Sequence, residues 1–525
     1  MDEPTLEKRV EAVFQFAFGC AANRPALTKL HQKLIECYQP LNQPMRLAIV
    51  GTIKAGKSTL MNALLGEEVV ATGTVEATFN VNLLQYGERP SLRVFYKDKR
   101  PPEPKSFVEL KSITIRADEN RDYLLSIEYI EVSYPNPILK TLNLIDTPGL
   151  ESHYKDDSDN TLAFLNIHGQ ELTKITQAEA RKADAVLYLF DKSIAESDRD
   201  AVAQFQGATL GQASPINAIG VLTKVDSYWS DGDKPLVRGE AIIHRLQSDH
   251  SQLSNRFYTI RPVCGLLAFG TQTMTGEEFN TLTELAKLSQ ERFEKLVRNA
   301  ERFSEREYPN EPAIPSAPKR KPLLSRLGQY GVWLACSLIR EHQVQTQKDL
   351  SSEMLKQSGI LELQRLIKAH FGNRASLIKL NTTLEKIKAA CFMERQHLDG
   401  VDYQLVIEIE KAFSELEAEE QHSFQELQIL RLCYQEQLSF NQQEVRQLLN
   451  VVGENGISIE ERLGLSANSP NDQTIRVAKE RVQYWSQRAN DLMSADSQTL
   501  DAARVLLHSY ERILYHLKQR NRSYV

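Results

Sequence analysis

Apolar and polar positions change period along the chain, and the change separates two kinds of element. Between residues 44 and 265, short apolar runs of strand character alternate with helical patterns. The runs are Met45 to Val50, Val81 to Tyr86, Ser91 to Tyr96, Ile127 to Ser133, Leu142 to Ile145, Ile216 to Leu222 and Phe257 to Val263. This alternation predicts an α/β sheet with its ligand loops at the carboxyl ends of the strands. Ahead of it, residues 5–43 read as two helices. Phe14, Phe16 and Phe18 crowd the first, and Leu27, Leu30, Leu34 and Ile35 are spaced helically on the second, so both need a surface to cover. Beyond residue 323 nearly everything reads as helix. From Val401 to Gln442 the positions Ile409, Phe413, Leu416, Phe424, Leu427, Leu430, Tyr434 and Leu438 recur at three- and four-residue steps, with Glu417, Glu419 and Glu420 on the polar side. That predicts one long amphipathic helix in a bundle or coiled coil.

The helical pattern breaks at Gly453-Glu454-Asn455-Gly456 and at Ser469-Pro470-Asn471-Asp472, and helices return at about 474–493 and 499–520. The result is an antiparallel helical rod with its turn near 451–473. That turn carries Val451, Val452, Ile457, Ile459, Leu463 and Leu465 but no aromatic residue and few cations. Two readings stay open for it: a hinge with local packing, or a tip that meets lipid or a partner. Residues 309–322 hold five prolines and the basic Lys319-Arg320-Lys321, which predicts an extended, exposed loop whose basic triplet is either solvated or touches phospholipid. The expected division is therefore N-terminal helices at 1–43, a nucleotide domain at 44–345 that includes the proline-rich loop, and a helical region at 346–525.

The junction after the first strand carries chemistry. Gly51, Gly56, Lys57 and Ser58 fill the pattern G-x-x-x-x-G-K-[ST], with Thr52, Ile53, Lys54 and Ala55 between and Thr59 leading into the helix Thr59 to Leu65. Glycines let backbone N–H groups close around phosphates, a lysine at this spacing reaches the β- and γ-phosphates, and the hydroxyl ligates Mg²⁺. Asp146-Thr147-Pro148-Gly149 follows the strand Leu142 to Ile145. There Asp146 can hold Mg²⁺ through water and the Gly149 amide can meet the γ-phosphate. Thr223-Lys224-Val225-Asp226 follows Ile216 to Leu222. A carboxylate at the last position accepts from the N1–H and 2-amino group of guanine while the lysine stem lies along the base. Adenine lacks that donor pair, so Asp226 argues for GTP over ATP.

Spacing narrows the class. Asp146 lies 95 residues beyond Gly51, and a minimal Ras-like switch needs roughly half that. The enlarged domain resembles the dynamin superfamily, most closely its bacterial dynamin-like GTPases. The resemblance is carried by Gly51–Thr59, by Ala71-Thr72-Gly73-Thr74-Val75-Glu76-Ala77-Thr78, by Asp146–Gly149, by Leu187-Tyr188-Leu189-Phe190 running into Glu196-Ser197-Asp198, and by Thr223–Asp226. It extends more weakly through Ser358-Gly359-Ile360 and Phe371-Gly372-Asn373-Arg374; past residue 400 only generic helical likeness remains. It implies an enlarged mixed sheet plus an elongated all-α bundle that the N-terminal helices join.

The resemblance also assigns roles. Thr78 looks like the switch threonine that joins the Mg²⁺ shell when a γ-phosphate is present, with Thr72 and Thr74 as rivals. Cys264-Gly265 occupies the place of the last base-contacting loop, in a departure from the usual Ser-Ala form. Ser152 to Asn160 would be a mobile second switch. Leu150 stands where Ras-like enzymes carry a water-orienting glutamine, which a leucine cannot replace. Lys54 stands where relatives carry a small polar residue that helps bind a monovalent cation. Its ammonium either replaces that cation or points to solvent at the loop rim.

Composition bounds the rest. The chain has 525 residues, enough for two or three domains and a large core. A net charge of −6 gives no electrostatic case for nucleic acid. The six cysteines form no C-x-x-C pair and read as free thiols of a reducing cytosol. Asp2-Glu3-Pro4 does not read as a signal peptide. Tyr330 to Ile339 is the longest apolar stretch, about half of what a spanning helix needs, and predicts a buried helix. Two function classes follow. One is a GTP-hydrolysing mechanoenzyme that self-associates through its GTPase domain and works on a membrane or with a dynamin-like or membrane-bound partner. The other is a soluble GTP-dependent switch that binds a protein or ribosomal partner. A scaffold with a dead site is disfavoured because Lys57, Ser58, Thr78 and Asp146 are all present. The expected location is cytoplasmic, with a peripheral place at the inner face of the cell membrane left open.

Overall fold

The computed structural model describes residues 6–51, 54–70, 81–114, 121–146, 183–191, 217–229, 234–249, 257–341, 344–466, 468–491 and 496–522. Its strands are β1 (Met45–Gly51), β2 (Asn82–Tyr86), β3 (Ser91–Tyr96), β4 (Glu103–Lys105), β5 (Ile127–Tyr134), β6 (Leu142–Asp146), β7 (Ala185–Phe190), β8 (Ala218–Leu222) and β9 (Thr259–Pro262). Among the described residues these nine form one sheet in the order β4-β3-β5-β2-β6-β1-β7-β8-β9. β1, β7, β8 and β9 run parallel. β1, β7 and β8 are apolar and buried almost throughout, as strands covered on both faces are. The other end is mixed: β2 pairs parallel with β5 and antiparallel with β6, and β3 pairs antiparallel with both β4 and β5. β3 alternates exposed and buried positions, the mark of a region covered on one face. β4 carries no apolar residue, so periodicity does not reveal it, and its Pro104 fits an edge strand. The expected α/β domain with an enlarged mixed sheet is thus present.

Helices that follow β9 build the core over the sheet. Leu267, Leu282, Leu285, Phe293, Leu323, Leu327, Tyr330 and Val332 are buried in one cluster with Ala48, Val50, Tyr188, Phe190 and Leu222 of the strands. The expected helix Tyr330 to Ile339 is part of a longer one, Ala317–Arg340. Over 317–322 that corrects the reading of 309–322 as an exposed loop, while 309–316 is turn and mostly exposed apart from Ile314 and Pro315. Pro318 sits in the first turn, where a missing N–H costs nothing. Arg320 is fully buried, its guanidinium donating to the carbonyls of Phe303, Pro315 and Arg306. Of the basic triplet only Lys319 and Lys321 are exposed.

The described chain divides into two compact units. Arg46 to Arg365 holds the sheet, apart from a stretch before Ala218, and the other unit combines the N-terminal helices up to Met45 with everything from Leu366 onward. Two short helices, Gln347–Lys356 and Ile360–Ile367, account for the difference between this boundary and the one expected at 345. In the helical unit, Leu6–Ala21 and Thr28–Tyr38 bury Val10, Phe14, Leu30 and Leu34 against Leu380, Leu384, Ile387, Val406, Ile409 and Phe413. Phe16 is exposed, as its place between Phe14 and Phe18 on a helix requires.

The single long helix expected from Val401 to Gln442 is three: Gly400–Glu419, Gln421–Tyr434 and Gln442–Val451. The first break falls at Glu420 (φ −90°, ψ 3°), and the second follows Gln435, where Glu436 turns left-handed at φ 55°. Asn441 then caps the third helix in a reciprocal box with Glu444. The later helices are Asn471–Ala489 and Ser497–Arg522. All six cysteines are free thiols, four of them buried. No helix among the described residues is long and apolar enough to cross a membrane.

Candidate functional site

The phosphate loop leaves β1 where the sheet is most crowded. A side chain at Gly51 would place its first carbon 2.5 Å from the Leu189 carbonyl oxygen of β7, so only glycine fits. The loop then turns through two left-handed residues, Lys54 (φ 62°) and Gly56 (φ 90°). Gly56 opens the helix Lys57–Leu65, accepting the Leu60 N–H at 2.8 Å. Lys57 is buried and its ammonium donates to the Gly51 carbonyl at 3.2 Å. The charge is thereby held inside the loop, where a phosphate can take it over. Ala55 is buried, Ser58 and Thr59 are half-buried in the first helical turn, and Lys54 is exposed.

The carboxyl end of this helix is held without a free carbonyl. Gly66 N–H donates to Asn62, the Gln272 amide to Ala63, the Gln364 amide to Leu64 and the Asn136 amide to Leu65, at 2.8, 3.1, 2.9 and 2.7 Å. A helix leaves its last four carbonyls unsatisfied, and here each receives a donor. The Asn62 side chain, fully buried, accepts from the N–H groups of Val69 and Val70 and donates to Val70. The axis that aims the phosphate loop is fixed by three other segments of the catalytic unit.

The loop Thr223–Asp226, expected to read the base, is tied directly to the phosphate loop. Thr223 is buried, and its hydroxyl lies 2.9 Å from the Ala55 carbonyl and 3.1 Å from that of Phe190. Lys224 adopts φ 53°, and its ammonium lies 3.2 Å from Asp191. Asp226 opens the following turn, half-buried. Cys264 is fully buried beside it. Burial first, and the Asp226 carboxylate second, push this thiol well above its ordinary range, so it stays protonated. Gly265 begins the next helix against the Leu60 backbone and the Thr59 methyl, 3.7–3.8 Å from where a side chain would start.

Asp146 ends β6, fully buried, opposite Asn82 of β2. Thr52, Ile53, Thr72, Thr74, Thr78, Gly149 and Leu150, the segment 152–160 and Glu196-Ser197-Asp198 lie outside the described residues.

Several supporting residues lie outside the nucleotide motifs, although Ser358 and Gly359 fall in the stretch that carries the weaker part of the resemblance. Asp191 holds Lys224, and its carbonyl accepts from the Tyr228 hydroxyl at 2.6 Å. The Cys264 N–H donates to Ser358 at 2.8 Å. Gly359 (φ 76°) lies so close to Pro262 that a side chain would meet its carbonyl oxygen at 2.5 Å. Gly328 interrupts the helix Ala317–Arg340 at φ 67°, ψ 175°, which brings its backbone against the Asp226 carboxylate. Tyr330 follows, buried, its hydroxyl pushed up to about 12 by burial and then by Cys264 and Asp226. It packs with Trp229 and Trp333.

Comparison with known proteins finds relatives over the same part of the chain. Residues 47–225 match the model of the Dynamin family. The isoniazid-induced protein IniC of Mycobacterium tuberculosis is 26% identical over 480 residues, 90% of either chain. Dynamin-like protein 2 of Campylobacter jejuni is 27% identical over 155 residues, 30% of this chain and 25% of that one. A solved structure described as an oligomerised bacterial dynamin pair that senses and tethers membranes covers 99% of this chain and 74% of its own, at 14% identity and a TM-score of 0.37. With its phosphate loop and its buried strand-end carboxylate set on one sheet, residues 47–225 form a Dynamin-family GTPase domain, and the chain as a whole is similar to bacterial dynamin-like proteins.

Proposed function

We propose that this GTPase converts its nucleotide state into a movement of its helical unit, that GTPase domains of two copies pair when GTP is bound, and that the work falls on a membrane or a membrane-bound partner. One observation carries the reading. The helix Ile360–Ile367 begins at a close backbone approach of Gly359 to Pro262 at the end of β9, next to Ser358, whose carbonyl accepts the Cys264 N–H at 2.8 Å. It holds the end of the phosphate-loop helix through Gln364 and Leu64. It then runs unbroken across the boundary between the two units at Arg365 and Leu366. A shift in either nucleotide loop bears on the element that leads into the helical unit.

Within the site, Lys57 contacts the β- and γ-phosphates and Asp226 reads guanine against a protonated Cys264. Ser58 and Asp146 would hold Mg²⁺, which supplies charge neutralisation across the β- and γ-phosphates. A carboxylate shut away from water suits a partner that brings its own positive charge. Thr78 and Gly149 sense the γ-phosphate, and Lys54 takes up charge that develops on the bridging oxygen.

The test joins flotation and sedimentation. Wild type and Lys57→Ala are compared with liposomes, and alone, in GDP and in a non-hydrolysable GTP analogue. The wild type is expected to self-associate and float only with the analogue, and the variant to do neither. A wild type that stays monomeric and never floats in any nucleotide state contradicts the reading and favours a soluble switch.

A further inference from the structure

We infer that Asn82 is a positioning residue for the Mg²⁺ shell: its side-chain oxygen holds a metal-bound water beside Asp146. This rests on the reading of the same site as one for guanine nucleotide with Mg²⁺. Asn82 and Asp146 are directly opposed in the antiparallel pairing of β2 with β6. Opposed residues in such a pair point to the same face, with first side-chain carbons about 4.5–5.5 Å apart. Both are shut away from solvent, at 1% and 0% exposure. Two places along the strands on that face lie Leu84 and Leu144, also fully buried, so an apolar floor closes the site from that side.

The Oδ1 atom of Asn82 is buried with no hydrogen-bond partner among the described residues. A buried carboxamide oxygen needs a donor. An ionised Asp146 can only accept, so it cannot supply one. Water can, and a water that donates one proton to Asp146 and the other to Asn82 presents its lone pair outward, which is the orientation a cation requires. Asparagine suits this place better than a second carboxylate, because it accepts without adding like charge. Better than leucine, it keeps the shell aligned rather than merely filling space. Asp146 would set the charge of the metal site, and Asn82 its geometry.

The experiment measures Mg²⁺ dependence in binding, not in turnover. Full-length wild type, Asn82→Leu and Asn82→Asp are titrated with Mg²⁺ while a fluorescent GTP analogue is followed, and melting is recorded in GDP with and without Mg²⁺. For Asn82→Leu the Mg²⁺ midpoint should rise about tenfold, affinity in EDTA should stay as in wild type, and the melting temperature without Mg²⁺ should hold or rise. For Asn82→Asp, two adjacent buried carboxylates should lower melting in EDTA, and Mg²⁺ should restore more than it does in wild type. A Mg²⁺-dependent wild type alongside a Leu variant with an unchanged midpoint overturns the inference alone, as does an Asp variant that Mg²⁺ does not rescue. A wild type whose nucleotide affinity ignores Mg²⁺ overturns the underlying reading as well.

Discussion

At the scale of single residues, the nucleotide site is built from backbone conformations that side chains seldom adopt. Lys54 and Lys224 both lie in the left-handed region, at φ 62° and 53°. A non-glycine residue there costs on the order of 1–2 kcal/mol. At Lys224 the ion pair with Asp191 stands against that cost. At Lys54 the competing explanations separate by substitution. Lys54→Gly removes both the ammonium and the strain, whereas Lys54→Ser removes the ammonium alone. If the charge serves hydrolysis, both variants should turn over GTP about 10²-fold more slowly with little change in affinity, and only the glycine variant should melt higher. Wild-type turnover should then be indifferent to exchanging K⁺ for Na⁺. Steady-state kinetics in the two salts, with melting curves, check this. Normal turnover in both variants would return Lys54 to the solvated rim. The motif residues were legible in the sequence because each role needs one residue type at one spacing. Asp191, Gln272, Gln364 and Asn136 were not, because any donor or acceptor that reaches the same carbonyl or ammonium would serve, and only the fold says which one does.

At the scale of elements, apolar runs marked β1, β8 and β9 among the parallel strands, whereas Leu187 to Phe190 of β7 entered only through the family resemblance. Helix breaks were read less well. Heptad-like spacing continues through Glu420 and Gln435, so the apolar pattern does not mark the breaks there, and of the three helices from Gly400 to Val451 only the third starts at a side-chain cap. The Asn441–Glu444 box was present in the sequence as a stop-and-start signal. Gly328 was equally hidden: a lone glycine in a helical pattern does not announce a kink. Gly328→Ala would force a side chain into the left-handed region, 3.4 Å from the Asp226 carboxylate. It should weaken guanine nucleotide several-fold while leaving the helical unit intact. Nucleotide titration followed by Trp229 and Trp333, which stack beside that loop, reports it. Unchanged affinity would show that the kink does not support Asp226.

The turn near 453 is anchored rather than loose. Arg374 donates to Glu454 at 3.0 Å and to the Val452 and Ala369 carbonyls, and the pair is buried, with side-chain exposures of 8% and 0%. The Tyr434 hydroxyl adds a further bond to Glu454. This favours local packing over a free tip for that segment. Removing one member of a buried ion pair typically costs about 3–5 kcal/mol, more than replacing both by apolar residues. Glu454→Leu should therefore destabilise the helical unit by about that much, and Arg374→Met with Glu454→Leu by less than the sum of the single changes. Urea unfolding followed through Trp485, with Trp229 and Trp333 changed to phenylalanine, measures it. Additive losses would mean that the two residues do not act as a pair.

At the scale of the whole molecule, the account rests on one continuity: the helix Ile360–Ile367 starts from Ser358-Gly359, which meet Cys264 and the end of β9, holds the phosphate-loop helix through Gln364, and ends past Leu366, the first residue of this stretch in the helical unit. The most direct test is the distance between the units in each nucleotide state. Spin labels are introduced by unnatural amino acids at Val237 in the catalytic unit and Val401 in the helical unit, both about two-thirds exposed. Pulsed electron resonance then compares nucleotide-free protein, GDP and GDP with aluminium fluoride. The distance distribution should shift with the transition-state mimic, the shift should vanish in Lys57→Ala, and it should shrink in Gln364→Leu although nucleotide still binds. Superimposable distributions in all three states, in a wild type shown to bind and hydrolyse GTP, would contradict the claim that this enzyme turns nucleotide state into movement.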